Sequence, residues 1–378
     1  MQILVLKEAH PQEYRVSLVP ENVKKLLSLG AQIEIEPGLG ATINVPDEAY
    51  TKAGATVATD LSSAKSRAEI LLRLRPPQLH EISELPRGLI HISYLDPFKE
   101  TELIKALAAQ GVTALSMEMI PRTTLAQKMD ALSSQANLAG YAAVIYAAQK
   151  LNRIFPMMMT PSGTISPAKV FIIGAGVAGL QAIATARRLG ARVEAFDTRP
   201  VVEEQVESLG AKFIKIDLGE TGQTAQGYAK QLTEEQLEKQ RTALARHCSA
   251  ADIVITTAQV FGRPAPRILT RNMLHGMRPG SVVIDLAVES GGNVEGSQPD
   301  TEVNQNGVHI YGLGNLPSQV AFNASTMYSN NLTHLLVHFW NKETKKFPVD
   351  LQQEILRATV ITHQGEIVHE TIKNLIQA

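Results

Sequence analysis

The chain is poor in the features that would mark it for export, for a membrane or for nucleic acid. Its 378 residues contain one cysteine, Cys248, so no internal disulfide can form. A fold stapled for an oxidising environment is excluded, and a reducing cytoplasm is the expected setting. No stretch reaches the roughly 18 consecutive apolar residues that a spanning helix requires. The richest candidate, AGYAAVIYAAQKL at 139–151, is broken by polar residues. The opening MQILVLKEAH has no basic region followed by an apolar run, so secretion is not indicated. Charge of one sign is missing too: Lys plus Arg number 36 against 37 Asp plus Glu, which leaves no electrostatic footprint for nucleic acid or an anionic membrane. The expected ligand is therefore small, or a protein surface. Tandem repeats and low-complexity tracts are also lacking.

What is present is an α/β rhythm long enough for two domains. Short apolar runs at ILVL (3–6), IEIE (33–36), ATVA (55–58), EILLRLR (69–75), LIHIS (89–93) and VTALSMEMIP (112–121) alternate with helical patterns such as VKKLLSLG (23–30) and ELIKALAAQG (102–111). A long Ala-rich helix is predicted over 131–152, followed by a Pro- and Gly-bearing connector at 155–169. Six further strand candidates follow: KVFIIG, ARVEAFD (191–197), AKFIKID (211–217), ADIVITTA (251–258), GSVVIDLA (280–287) and GVHIYG (307–312). The tail over 317–342 is helical in pattern and is expected to return to the first domain. The expected fold class is α/β, with two Rossmann-like domains of doubly wound, mainly parallel sheets joined by long helices, and a cofactor cleft between them. The expected boundaries are 1–133 plus 320–378 for the N-terminal domain and 134–319 for a Rossmann domain.

A bare G-x-G-x-x-G is a weak signal, but here Gly174, Gly176 and Gly179 follow a predicted strand and open a predicted helix at Val177. In that setting each glycine has its own task. Gly174 permits the tight turn, Gly176 lets a pyrophosphate approach the backbone, and Gly179 allows helix to pack on strand. The helix N-terminus adds N–H donors and a positive dipole end. Asp197 ends the next strand, 18 residues beyond Gly179, where a carboxylate can accept the adenosine-ribose hydroxyls and repel a 2′-phosphate. Thr198 and Arg199 follow, and an arginine there is the group that could accommodate such a phosphate. Gln259, just past ITTA, falls at the carboxyl edge of the predicted sheet, where a ligand contact and a structural role are equally open.

The segment MEMIPRTTLAQKMDALSSQANLAGY (117–141) places Arg122, Gln127, Asp130 and Ser133 within about three helical turns. Composition alone leaves a solvated loop with a helix N-cap and a ligand site about even. Taken with PMMMTPSGTISPAKVFIIGAGVAGLQAIATARRLGA, EQVESLGAKFI, AQGYAK, ITTA and RPGSVVIDLAVESGGN, this segment resembles the NAD(H)-binding alpha subunit of proton-translocating nicotinamide nucleotide transhydrogenase. The resemblance runs over essentially the whole chain, from KEAHPQEYRVSLVPENVKKL to the helix after NLPSQVA. It implies that Arg122, Gln127, Asp130 and Ser133 hold the nicotinamide carboxamide and ribose, with Gln127 facing the second nucleotide. It also implies that Gly227 and Tyr228 belong to a mobile loop closing over NAD(H), where the family's Gly-Gly-Tyr reads Gln226-Gly227-Tyr228 here. NAD(H) would bind this chain and NADP(H) a partner subunit. The implied assembly is a homodimer with that subunit and membrane-embedded subunits, no nucleic acid, and a cytoplasmic chain peripheral to the membrane through its partners.

Alanine dehydrogenase shares the fold and much of the pattern, and is the competing enzyme reading. Oxidising an amino acid requires a general acid/base and a cation for the substrate carboxylate. That family carries a lysine after the strand matching EILLRLR and a histidine at the next strand's exit. Here those places hold Arg73 or Arg75 and Asp96, while Arg15 remains and Glu289 stands where an aspartate is expected. Hydride transfer between two nicotinamides requires no proton transfer, so orientation by Arg122, Gln127, Asp130 and Ser133 suffices. A reading of another class is a non-catalytic NAD-sensing module acting through the mobile loop. Met157, Met158 and Met159 read as packing at a domain junction, and His247 with Cys248, or His334 with His338, read as structural or surface positions rather than metal ligands.

Overall fold

A computed structural model describes residues 1–219, 221–222 and 232–377. They divide into two compact units, Met1–Gln135 with Ser318–Ala378, and Ala136–Pro317.

The first unit is built on an eight-stranded sheet. From one edge to the other its strands are Glu366–Ile367, Val360–His363, Thr113–Ser116, Ile90–Ser93, Ile70–Leu72, Gln2–Val5, Gln32–Ile35 and Thr56–Val57. All pair in parallel except the two contributed by the C-terminal residues, which run antiparallel. The central strands are continuous apolar runs because both faces are covered. Ile3, Val5, Ile70, Leu72 and Ile92 enter one core layer, and Leu4, Leu71 and Ala114 enter the other. The crossovers are helices such as Pro20–Leu27, whose first residue has the fixed φ suited to a helix start, and Thr101–Gln110, which ends on Gly111 at φ +76°. The helix Ala321–Phe339 lies in this unit. Serines beside and along it meet an extended early segment: Ser318, Ser325 and Ser329 Oγ accept the N–H groups of Tyr14, Val16 and Val19 at 2.8, 2.9 and 3.1 Å. Buried backbone donors outside any sheet are thereby satisfied.

In the second unit the sheet order is Lys212–Phe213, Arg192–Phe196, Lys169–Ile173, Ile253–Thr256, Val282–Asp285, Val308–Gly312 and Glu302–Gln305. Numbered along the chain, the parallel strands run 3-2-1-4-5-6, the doubly wound order of a dinucleotide-binding fold, with an antiparallel strand added at one edge. The strand expected over 211–217 shortens to Lys212–Phe213, because the neighbour on which it pairs ends at Phe196 and leaves later residues without a ladder. Helix Ala131–Lys150 passes close to the start of helix Val177–Arg188. A Cβ added at Gly140 would collide with the carbonyl of Ala178, so the helices approach at backbone distance.

The connector at 155–169 holds a two-stranded hairpin, Met158–Thr160 with Gly163–Ile165. This corrects the reading of the methionines as packing material. Met157, Met158 and Met159 are 58%, 47% and 76% exposed, since a hairpin without a covering layer cannot bury its side chains. Among the described residues no helix is long and apolar enough to cross a membrane.

Candidate nucleotide-binding site

In the second unit the strand Lys169–Ile173 ends in Gly174, whose φ of +100° turns the chain sharply into helix Val177–Arg188. A side chain there would be strained, and its Cβ would also lie 2.6 Å from Thr257 Oγ1. Gly179 is closed in a different way. A Cβ would fall on the carbonyl oxygen of Gly174, well inside van der Waals contact, so the first helical turn lies directly on the strand end. Gly176, the N-cap, has nothing within 4 Å of its Cβ position. Two of the three glycines are thus required by the protein's own packing, and the third faces open space beside the N–H groups of the first helical turn, Val177 among them. That is the cradle a pyrophosphate requires.

The turn sits where the strand order reverses, because Lys169–Ile173 pairs on one side with Arg192–Phe196 and on the other with Ile253–Thr256. Across this switch point Thr257 Oγ1 donates to the Gly174 carbonyl at 3.0 Å. Gln259 Nε2 donates to the Leu286 carbonyl at 3.0 Å, tying the exits of two neighbouring strands. Two residues that sequence reasoning missed fix this edge. The buried Asn293 accepts from Ala258 N–H at 3.0 Å and donates to the carbonyls of Ala258 and Pro266 at 2.8 Å each. The carboxylate of Asp285 receives the N–H groups of Ala287 and Asn293 at 2.9 and 3.2 Å. The available signal was an acid closing a fully apolar strand just before Gly291-Gly292-Asn293.

Asp197 stands at the end of Arg192–Phe196, and its surroundings are more crowded than a bare strand-end acid. One oxygen accepts Ala175 N–H at 2.7 Å and Arg199 Nη2 at 2.8 Å, while the other accepts the Arg199 N–H and Nε at 2.9 Å each. The guanidinium of Arg199 is held above the ordinary arginine range, by its hydrogen bonds to Asp197 before anything else. These four donors fill the usual acceptor directions of a carboxylate. Thr198 contributes its carbonyl, which accepts from Thr221 Oγ1 at 2.8 Å.

In the first unit the polar segment forms a one-turn 3₁₀ helix, Gln127–Met129, anchored by the buried Ala126 and Met129. Asp130 directly precedes helix Ala131–Lys150, and its carboxylate accepts the Ser133 N–H at 2.8 Å and the Ser133 hydroxyl at 2.6 Å. That is an N-cap, so Asp130 and Ser133 do have a local structural task. Arg122 and Gln127 are exposed. Gly227 and Tyr228 lie outside the described residues.

The basic residues weighed against alanine dehydrogenase are engaged in ion pairs within the same unit. Glu13, with a fully buried side chain, receives Arg15 Nε and Nη2 at 2.7 and 2.6 Å and Arg75 Nε at 2.9 Å. Although burial opposes ionisation, the two guanidiniums hold its carboxyl down at about 2. Arg73 binds Glu81 at 2.9 Å, and Asp96 is exposed and paired with Lys99 at 3.2 Å. Glu8 accepts the N–H groups of Leu74 and Arg75 at 2.6 and 3.0 Å, yet burial pushes it up to about 7. Among the described residues no group of three or more His, Cys, Asp or Glu is arranged to hold a metal.

The chain belongs to the alanine dehydrogenase/PNT family: the N-terminal domain of that family matches residues 4–139 and the C-terminal domain residues 143–370. Within it the likeness is to the transhydrogenase alpha chains. A Rhodospirillum rubrum chain named as the first portion of NAD(P) transhydrogenase subunit alpha is 44% identical over 98% of this chain and 99% of its own length. A solved transhydrogenase from Sinorhizobium meliloti is 45% identical, covers 98% of this chain and 100% of its own, and superposes with a TM-score of 0.85. A solved L-alanine dehydrogenase, 26% identical, covers 100% of this chain and 99% of its own at a TM-score of 0.81.

Proposed function

We propose that this chain is the NAD(H)-binding catalytic component of a proton-translocating transhydrogenase, exchanging hydride between NADH and NADP⁺ held on a partner subunit. The domains would divide the labour, 134–319 holding the dinucleotide and 1–133 with 320–378 presenting the orienting loop. Bound NADH supplies the hydride from C4 of its dihydronicotinamide. In the second unit, the turn at Gly174, Gly176 and Gly179 and the N–H groups from Val177 onward hold the pyrophosphate, Asp197 receives the adenosine-ribose hydroxyls as the Arg199 side chain gives up its place on the carboxylate, and Thr198 and Gln259 complete the sheet edge. Arg122, Gln127, Asp130 and Ser133 orient the nicotinamide, and Gly227 with Tyr228 close over it. Proton movement belongs to membrane-embedded partners, and the chain works as a homodimer at the cytoplasmic side of the membrane.

The observation that favours hydride exchange over oxidation of a small substrate is that Arg73 and Arg75 stand where the dehydrogenase reading expects an acid/base lysine, and that both are engaged in ion pairs. Arg15 and Arg75 share the internal carboxylate of Glu13, and Arg73 is paired with Glu81. Two guanidiniums on one carboxylate leave a positive charge over, but arginines do not relay protons at neutral pH, so none of these three supplies the acid/base group that oxidation of an amino acid requires. Mixing the chain with NADH, NADP⁺ and the NADP-binding partner should form NAD⁺ and NADPH. Absence of exchange at saturating nucleotide would overturn the proposal. NAD⁺ with L-alanine should give no pyruvate; appreciable pyruvate would move the function to the dehydrogenase side of the family.

A further inference from the structure

The segment carrying Gln127 is held from a distant part of the chain. Lys128 lies in the one-turn helix Gln127–Met129. A single turn satisfies few of its own carbonyls, so the Lys128 carbonyl requires an outside donor. Asn331 Nδ2 supplies it at 2.9 Å, from 203 residues away in the chain. The same amide accepts from Ser134 Oγ at 2.7 Å. One side chain therefore spans the segment, gripping the residue after Gln127 at one end and the residue after Ser133 at the other. Asn331 is itself 8% exposed and is fixed by its helix, Ala321–Phe339, whose Leu332, Leu335 and Leu336 are fully buried in the core. A second brace lies one residue further on. Gln135 accepts from Arg15 Nη1 at 2.9 Å and donates to the Ala324 carbonyl, on the same helix, at 3.0 Å.

We infer that Asn331 is a positioning residue for hydride transfer, setting the place of the Gln127 loop by bridging Lys128 and Ser134. The inference rests on the reading that this loop orients the nicotinamide. The phosphates are assigned to the turn at Gly174, Gly176 and Gly179, so a change at Asn331 should act on alignment and leave affinity to other residues. Asparagine suits the task because one amide offers a donor and an acceptor on the same rigid group. Alanine offers neither, and aspartate keeps the volume but places an acceptor against the Lys128 carbonyl. A displacement of about 1 Å at a group that aligns reacting atoms can slow a reaction on the order of 100-fold.

The test measures hydride transfer to partner-bound NADP⁺ and, separately, the Kd for NADH, in Asn331→Ala, Asn331→Asp, Gln127→Ala and the double variant Asn331→Ala with Gln127→Ala. Transfer should fall roughly 10- to 100-fold in both Asn331 variants while the NADH Kd stays within about threefold. The retained Kd also shows that each variant is folded. The double variant should be little slower than Gln127→Ala, because the two residues act through one geometry. Unchanged transfer in the Asn331 variants, beside a slowed Gln127→Ala, would overturn the inference and leave the functional reading standing. So would equal losses in rate and affinity, or fully additive effects. Unchanged transfer in Gln127→Ala would remove the orienting role of the loop, and this inference with it.

Discussion

The two glycines Gly176 and Gly179 lie three residues apart in one turn, and adding the same methyl group to each should have opposite consequences. At Gly179 a Cβ would fall on the Gly174 carbonyl oxygen and come within 3.3 Å of Thr257 Oγ1, so helix Val177–Arg188 must lift off the strand. Overpacking of this kind costs about 1–3 kcal/mol, which at about 2–4 °C per kcal/mol is a visible loss of melting temperature. At Gly176 the methyl would meet nothing within 4 Å, and φ −77° with ψ −166° is extended backbone open to alanine. Stability should therefore stay within about 0.5 kcal/mol of the parent. The methyl would instead stand where a pyrophosphate approaches. Loss of one charge-assisted N–H bond, roughly 1.5–3 kcal/mol, corresponds to about 10- to 150-fold weaker NADH binding. Thermal unfolding and NADH titration by fluorescence read the two effects separately. A Gly176→Ala variant that bound NADH at the parental affinity would refute the assignment of the phosphates to this turn. A Gly179→Ala variant as stable as the parent would refute the packing argument.

Other outcomes follow from the charged groups. Replacing Glu13 with Gln leaves the buried Arg15 without its counter-charge, and a loss of about 3–5 kcal/mol is expected by denaturant unfolding. Glu13 is held at about 2 against an ordinary 4.5, so its stabilising effect is present above pH 4.5 and is lost as pH falls from there through 2. The parent should therefore lose stability over that window on the order of 3 kcal/mol more than Glu13→Gln does; parallel pH profiles would contradict the pairing. Arg199→Ala frees one acceptor direction on each oxygen of Asp197 and uncovers its charge. Discrimination against NADPH should rise at least about tenfold, by affinities measured for both nucleotides, and improved NADPH binding would show that Arg199 acts otherwise.

The parallel strands were legible because a strand buried on both faces must be apolar throughout, as in VFII, IVIT and VVID. The glycine turn was legible because strand and helix patterns flank it without a gap. Elements made by context were hidden. Glu302–Gln305 reads EVNQ, with no alternation to mark a strand, and owes its conformation to pairing with Val308–Gly312. Met158–Thr160 lies among prolines and a glycine that suggest a plain connector. The Asn331 bridge and the serines facing Tyr14–Val19 join residues about 200 to 310 positions apart, which no local pattern can reveal. Composition left Asp130 and Ser133 open between a cap and a ligand site. Their geometry is that of a cap, and a cap is also what would hold Gln127 and Arg122 steady. Asp197 was legible as a strand-end acid, but its engagement by Arg199 depends on a side-chain conformation that the sequence does not specify.

Under the proposed function, hydride passes directly between two nicotinamides while no residue of this chain exchanges a proton with the reacting carbon. The most direct test is single-turnover reaction of NADH carrying deuterium at the transferred C4 position with partner-bound NADP⁺. The deuterium should be recovered in NADPH without loss to water. Protium at that position in the NADPH formed, or NADH consumption without NADPH, would contradict it.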